Sequence, residues 1–434
     1  MSTRTRLRPL RVAFLAYRGN PYCGGQGVYT RQLTRELVSL GHEVTVFGGP
    51  PYPVLDDGVG FVPVPSLDLY RQPDPFRTPR LREFRTMVDV VEFAIMCTAG
   101  FPEPLTFSVR ARAALASRLG SFDVVHDNQC LGTGLLGMMD DGWPVLATVH
   151  HPITVDRELE MASAPDRWRR LTLRRWYGFV EMQRRVVRRL QRVLTVSHSS
   201  RSDIAAQLGV DPTRMAVVPV GVDHTLFRAK PGVGRVRGRL VTTASADVAM
   251  KGLVPLLEAL AKVRTERHAE LVVVGSPRPQ SGAAAAVERL GLDGAVRFVT
   301  GLSDEALVRL YAEAELAVVP SLYEGFSLPA IEAMACGVPV VATTGGALPE
   351  VVGATGETAL LVPPGDSEAL AAAIGQALDD GALRLRLSRN GRARALERFT
   401  WRATAEGTVA QYRHVLAGPV LRRHLLSGGV RARC

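Results

Sequence analysis

The chain has 434 residues, 46% hydrophobic and 22% charged, with 53 lysines and arginines against 42 acidic residues and a net charge of +11. At about three times a ~150-residue single-domain length it calls for two domains, and this composition excludes a disordered tail or a low-complexity array. No apolar run reaches the ~18 residues of a membrane-spanning helix, and the five scattered cysteines (Cys23, Cys97, Cys130, Cys336, Cys434) form no CxxC pair, which excludes a zinc ribbon and fits a reducing cytoplasm.

Met1–Arg8 is basic, but strand and helix patterns begin at once after it, so no secretory leader is expected. Arg11–Tyr17 is the apolar run of a buried strand. Gly24-Gly25-Gln26-Gly27 then turns into a helix with apolar Val28, Leu33, Leu37 and Leu40, stopped by Gly41, and Glu43–Phe47 completes a βαβ unit. Residues 51–85, rich in proline and arginine, read as an irregular insertion. Strands follow at 124–125, 145–149, 193–196 and 217–218. Pro219 to Arg237 is crowded with proline and glycine and marks the domain boundary.

The same grammar restarts with a strand at Arg239–Ala244, a loop ending in Lys251-Gly252, a helix from Leu253 to Val263 and a strand at Leu271–Val274. Strands at 296–299, 316–319 and 338–342 come next, then helical patterns to Arg398 and from Trp401 to Leu416. Strands alternating with helices of this length imply parallel sheets covered on both faces, and two restarts imply two such α/β domains.

Ser321 to Ala342 follows a strand, passes a Gly-containing loop, and opens a helix with Pro329 near its first position and Gly337 as its stop. Helix N-terminal amides bind anions, so those around Phe326, Ser327 and Leu328 can hold a phosphate. Glu324 is placed in the loop and Glu332 in the first helical turn. A carboxylate accepting two neighbouring hydroxyls would hold a ribose, although complementing the helix dipole explains Glu332 equally well. His150 and His151 end a strand, where a doubly wound sheet faces its ligand, while His126 and His198 read as structural.

Glu324-x7-Glu332 in this stretch, followed by Gly345-Gly346 and Pro349-Glu350, resembles the nucleotide-sugar signature of the retaining glycosyltransferases of family 4. Gly24-Gly25, Thr148-Val149-His150, Thr195-Val196-Ser197, Pro219-Val220-Gly221-Val222-Asp223, Lys251-Gly252 and Phe399-Thr400-Trp401 fall in that family's order over nearly the whole chain. The resemblance implies the GT-B fold: α/β, two Rossmann-like doubly wound domains facing across a cleft. Residues 1–219 would form the acceptor side, 220–400 the nucleotide-sugar domain, and 401–434 a helix and tail returning to the first domain. It implies transfer of a sugar, with retention, from a nucleoside-diphosphate sugar (a UDP- or GDP-sugar) to an unidentified acceptor hydroxyl, with no other cofactor.

Carried over by position, His150, Lys251 and Glu324 are the expected catalytic residues, and Gly25, Gly27, Lys251, Glu324, Gly325, Phe326, Ser327, Leu328 and Glu332 the donor-binding set. Tyr29 and His151 are the acceptor-side candidates. Two positions depart from the family: Ala246 stands where an arginine is usual and Val220 where an asparagine is. No Asp-x-Asp follows a strand, so metal-independent transfer is expected, the leaving charge being met by Lys251 and backbone amides. A GT-B nucleotide-sugar epimerase is the neighbouring alternative. A basic nucleic-acid-binding protein is the alternative of another class, but no recognisable module supports it and no nucleic acid is expected as partner.

Ten arginines between Arg167 and Arg192 alternate with Trp168, Leu171, Leu173, Trp176, Phe179, Val180 and other apolar residues. The pattern suits one basic amphipathic helix, lying against an anionic membrane at its inner face or presenting a solvated side of the domain.

Overall fold

In a computed structural model of the chain, residues 8–19, 25–71, 73–164, 166–243, 248–275 and 281–418 are described. They divide into two compact units, Met1–Thr195 with Arg201–Val218 and Thr404–Cys434, and Val196–Ser200 with Pro219–Ala403. Ala246 lies outside the described residues.

The first unit holds a seven-stranded parallel sheet of β1 (Arg11–Ala16), β2 (Glu43–Gly48), β3 (Gly60–Pro63), β4 (Val124–Asn128), β5 (Val145–Val149), β6 (Arg192–Thr195) and β7 (Met215–Val217). Its order is β3-β2-β1-β4-β5-β6-β7, with Val12 opposite Val44 on one side and Val124 on the other. The order reverses between β1 and β4, so the crevice for a ligand opens beyond their carboxyl ends. β4 and β5 are buried at every residue, because a parallel sheet has helices on both faces.

Two expectations need correction here. The insertion at 51–85 is not wholly irregular, since Gly60–Pro63 joins β2 as the edge strand, its two apolar residues hidden between prolines in the sequence. The arginine-rich stretch is not one helix. It breaks into Arg167–Trp176 and Phe179–Val187, and Arg192 already begins β6. The first helix ends at Tyr177-Gly178, and Leu173 and Tyr177 before the break and Val180 after it are buried in one small apolar cluster.

The second unit holds a six-stranded parallel sheet of β8 (Arg239–Thr243), β9 (Glu270–Val274), β10 (Val296–Val299), β11 (Leu316–Val319), β12 (Val340–Thr343) and β13 (Leu360–Val362). The order is β10-β9-β8-β11-β12-β13, reversing between β8 and β11. β12 starts after Pro339, which has no amide to donate and offers only its carbonyl, to Ala317 N–H. Among the described residues no helix is long and apolar enough to cross a membrane.

Candidate functional site

In the second unit the candidate residues lie past β8 and β11, the two strands flanking the reversal. Lys251 closes a short 3-10 turn, Ala249–Lys251, and Gly252 follows at φ +65°. A Cβ at Gly252 would sit 2.0 Å from the Pro320 carbonyl oxygen, so only glycine fits. The amide of Leu322 donates to the Met250 carbonyl at 2.7 Å and fastens the two loops together.

That approach delivers Lys251 Nζ to Glu324 Oε1 at 2.8 Å, and Ser321 Oγ donates to the same oxygen at 2.7 Å. The Glu324 side chain is 10% exposed and that of Lys251 27%, so the pair is shielded yet reachable from one side. The Glu324 carbonyl accepts Ala347 N–H at 2.8 Å, and a Cβ at Gly346 would lie 2.3 Å from that carbonyl. The Gly325 carbonyl accepts Ser197 Oγ at 2.7 Å and Ser200 Oγ at 3.1 Å. Glu350 takes the amides of His198 and Ser199 at 2.8 and 2.6 Å. Phe326 is buried edge-on to Phe399, ring centres 5.4 Å apart.

Ser327 is the N-cap of the helix Leu328–Ala335, but it does not cap it. Its backbone has φ +105° and ψ 86°, and its Oγ is buried with no hydrogen-bond partner among the described residues. Helix amides left without a side-chain partner, a strained serine and an orphaned hydroxyl at one point are the marks of an anion cradle.

Glu332 is the fifth residue of that helix, past the first turn expected for it, and its surroundings differ from those of Glu324. Burial pushes its carboxyl up to about 7, Asp304 adds to the rise and the Tyr311 hydroxyl opposes it.

In the first unit the helix Gly25–Ser39 already includes Gly25 and Gly27, so these are helical residues and not a turn; Gly24 lies outside the described residues. The helix begins this early because its first turn is tied down: Gln26 O accepts Thr30 Oγ1 at 2.8 Å and Asn128 Nδ2 at 3.4 Å.

His150 follows β5. Its Nε2 bonds Asn128 Oδ1 at 2.8 Å, its amide donates to Gln129 Oε1 at 2.6 Å, and its ring stands edge-on to Tyr29 at 4.7 Å. Burial, with a smaller contribution from His151, holds its pKa down at about 3, so the imidazole is neutral and Nε2–H donates to Asn128. The Tyr29 hydroxyl is 3.1 Å from Thr148 Oγ1, and burial pushes that phenol up to about 12. His151 bonds Asp156 instead, Nε2 to Oδ2 at 2.8 Å. His126 is fully buried between Tyr412 and Thr148, each at 2.7 Å.

The structure therefore brings together Lys251, Glu324 and the Gly325–Leu328 loop in one unit, and His150 with Tyr29 in the other. Sequence reasoning missed some of the groups that hold them: Ser200 around the loop, and Asn128 and Gln129 around the histidine. Ser321 and Thr148 stood in the quoted motifs, but without these roles.

The family described as glycosyl transferases group 1 matches residues 234–394, and that described as glycosyltransferase family 4 matches residues 23–226. An MMP alpha-(1->4)-mannosyltransferase from Mycolicibacterium hassiacum is 54% identical over 409 residues, covering 94% of this chain and 99% of that protein. A D-inositol 3-phosphate glycosyltransferase from Acidothermus cellulolyticus is 30% identical, covering 94% and 91%. Among solved structures, a sucrose-phosphate synthase from Thermosynechococcus elongatus superposes with a TM-score of 0.71 at 25% identity, covering 94% of this chain and 99% of that one.

Proposed function

From a chain that belongs to the family 4 (group 1) glycosyltransferases and has their GT-B fold, we propose an α-(1→4)-mannosyltransferase that moves mannose from a nucleoside-diphosphate mannose, GDP or UDP, with retention. The observation that carries the donor side is the cation at the uncapped helix end: Lys251 beside Glu324, with the Ser327 hydroxyl unpartnered. Negative charge grows on the diphosphate as the glycosidic bond breaks, and a flexible ammonium, helix amides and a buried hydroxyl stabilise that charge more than they stabilise the ground state. Glu332 accepts the ribose hydroxyls, which favour its ionised form. His150, neutral and donating to Asn128, positions the edge of the first sheet and does not take up a proton near neutral pH. The mannosyl specificity rests on the likeness to the Mycolicibacterium protein. The reported relatives are transferases and lend nothing to the epimerase or nucleic-acid readings.

The test incubates the purified chain with GDP-mannose or UDP-mannose and an α-mannoside, following nucleoside diphosphate release and the anomeric configuration of the product. An α-linked mannoside formed alongside the diphosphate is expected. A β-linked product, or release of neither diphosphate, defeats the reading.

A further inference from the structure

We propose that the first unit carries a second anion site, at the amino edge of its sheet and apart from the candidate residues, which takes the phosphate of a small phosphorylated molecule such as a sugar phosphate. The binding does not depend on the transferase reading.

The site is a cavity of about 370 Å³ lined chiefly by Arg189, Leu190, Gln191, Arg214, His414 and Val415. Three pieces of chain meet there. Arg189–Gln191 lead from the helix Phe179–Val187 into β6, Arg214 ends the 3-10 turn Pro212–Arg214 before β7, and His414 and Val415 lie in the last turn of the helix Trp401–Leu416. β6 and β7 both begin here and run parallel to β5, so the cavity lies at the edge opposite to the one where His150 follows β5. Arg192 fastens the pieces together, its Nε donating to Gln411 Oε1 at 2.9 Å and its Nη1 to the Thr213 carbonyl at 3.0 Å. Tyr412 anchors the last helix to His126 of β4 at 2.7 Å, so the walls are built on fixed elements.

Charge points to the ligand. None of the side chains lining the cavity is a carboxylate. The Arg189 guanidinium and the His414 ring make no hydrogen bond or ion pair among the described residues. Arg214 donates through Nη2 to the carbonyls of Arg188, at 2.7 Å, and of Leu190, and its buried Nε has no partner among the described residues. Two helices end at the cavity, and each carboxyl end carries about half a negative charge, which together offset about one guanidinium. Arg188, Arg192 and Arg201, which donate to the carbonyls of Leu208, Thr213 and Pro212, add further positive charge around it. Asp211 is taken up by the Thr213 amide and hydroxyl, each at 2.8 Å. Burial, and next the like charge of Arg201, draw the Arg192 guanidinium down from its ordinary value, as crowded cations do. The sequence after Gly418 adds four arginines and no aspartate or glutamate.

A phosphate monoester brings about 1.5–2 negative charges and three acceptor oxygens, and guanidinium forks meet it with paired N–H groups. The cavity is larger than a bare phosphate fills and falls within the size of small-molecule sites, so the body that carries the phosphate fits with it. Gln191 and His414 supply donors and acceptors for hydroxyls of that body.

The experiment titrates the full chain with glucose 6-phosphate, glucose and inorganic phosphate at constant ionic strength, by calorimetry and thermal unfolding. Glucose 6-phosphate is expected to bind and to raise the melting temperature, inorganic phosphate to bind more weakly, and glucose not at all. Arg189→Glu should weaken the ester about tenfold or more, the loss of a charged hydrogen bond. Lys251→Ala, which disables the cradle of the second unit, should leave the affinity unchanged. Arg189 is exposed, so its reversal should not move the melting temperature of the ligand-free chain, and Arg189→Gln gives the reading if it does. No binding of the ester, unchanged affinity in both Arg189 variants, or loss of binding in Lys251→Ala would each overturn the site. Capture by phosphatidylglycerol vesicles without binding of the soluble ester would assign the arginines to a lipid surface and overturn it as well.

Discussion

The carboxyl edges of the two sheets solve the burial of polar groups in opposite ways. Along the carboxyl halves of β4 and β5 and just past β5, these polar groups meet as neutral partners: His150 and His126 shed their protons, and Tyr29, Asn128 and Thr148 bond one another or those rings. Beyond β8 and β11 a full ion pair, Lys251 with Glu324, stands beside an uncapped helix end. A buried charge survives only where a partner or a ligand compensates it. On the proposed reading the second edge receives a diphosphate, and the first holds uncharged hydroxyls in place.

The sharpest way to break this contrast is Lys251→Ala, which removes the cation on which the charged edge depends. We expect kcat to fall by about 10²–10³-fold with the fold intact by circular dichroism; a variant that is folded and fully active would refute the assignment. Glu332→Ala comes next. It should cost ~1.5–3 kcal/mol of nucleotide affinity, the loss of a hydrogen bond to a charged acceptor, and calorimetry with the nucleoside diphosphate reads it directly.

The neutral edge is tested by pH. Burial holds the pKa of His126 at about 3, below the 6.5 of the unfolded chain, so the unfolded state binds the extra proton. The stability this provides is complete above pH 6.5 and declines as pH falls towards 3, by about 1.4 kcal/mol per pH unit for one histidine. Urea unfolding at several pH values should show the decline, and His126→Asn should remove that part of the slope; an unaltered slope would mean the ring is not held neutral. Chelation is expected to do least. Excess EDTA should leave turnover unchanged, since protein cations and amides meet the leaving charge; loss of activity restored by magnesium or manganese would show that the charged edge is incomplete without a metal.

Much of this was legible in the sequence because it is periodic or local. Apolar runs revealed β1, β2, β5, β8 and β9 within a residue or two, and Lys251-Gly252 and Glu324 were readable as short motifs. What escaped depends on partners distant along the chain. Asn128 becomes the partner of His150 only once β4 and β5 pair, and Tyr412 reaches His126 across 286 residues. β13 and β3 are too short for a periodic signal. The strain at Ser327 and Phe76 could not be read either, because neither is glycine and nothing local betrays a positive φ. The arginine stretch misled because charge spacing suggests a helix but does not show where one helix ends and the next begins.

The chain visits the second unit twice, first for only the five residues Val196–Ser200, before settling there at Pro219. Those few residues supply both hydroxyls on the Gly325 carbonyl and both amides on Glu350. The second unit is therefore not an interchangeable cassette at the obvious seam. A chimaera spliced at 219/220 inherits the foreign counterpart of that pentapeptide, and should hold nucleotide more loosely than one that also imports 196–200 with the half it braces.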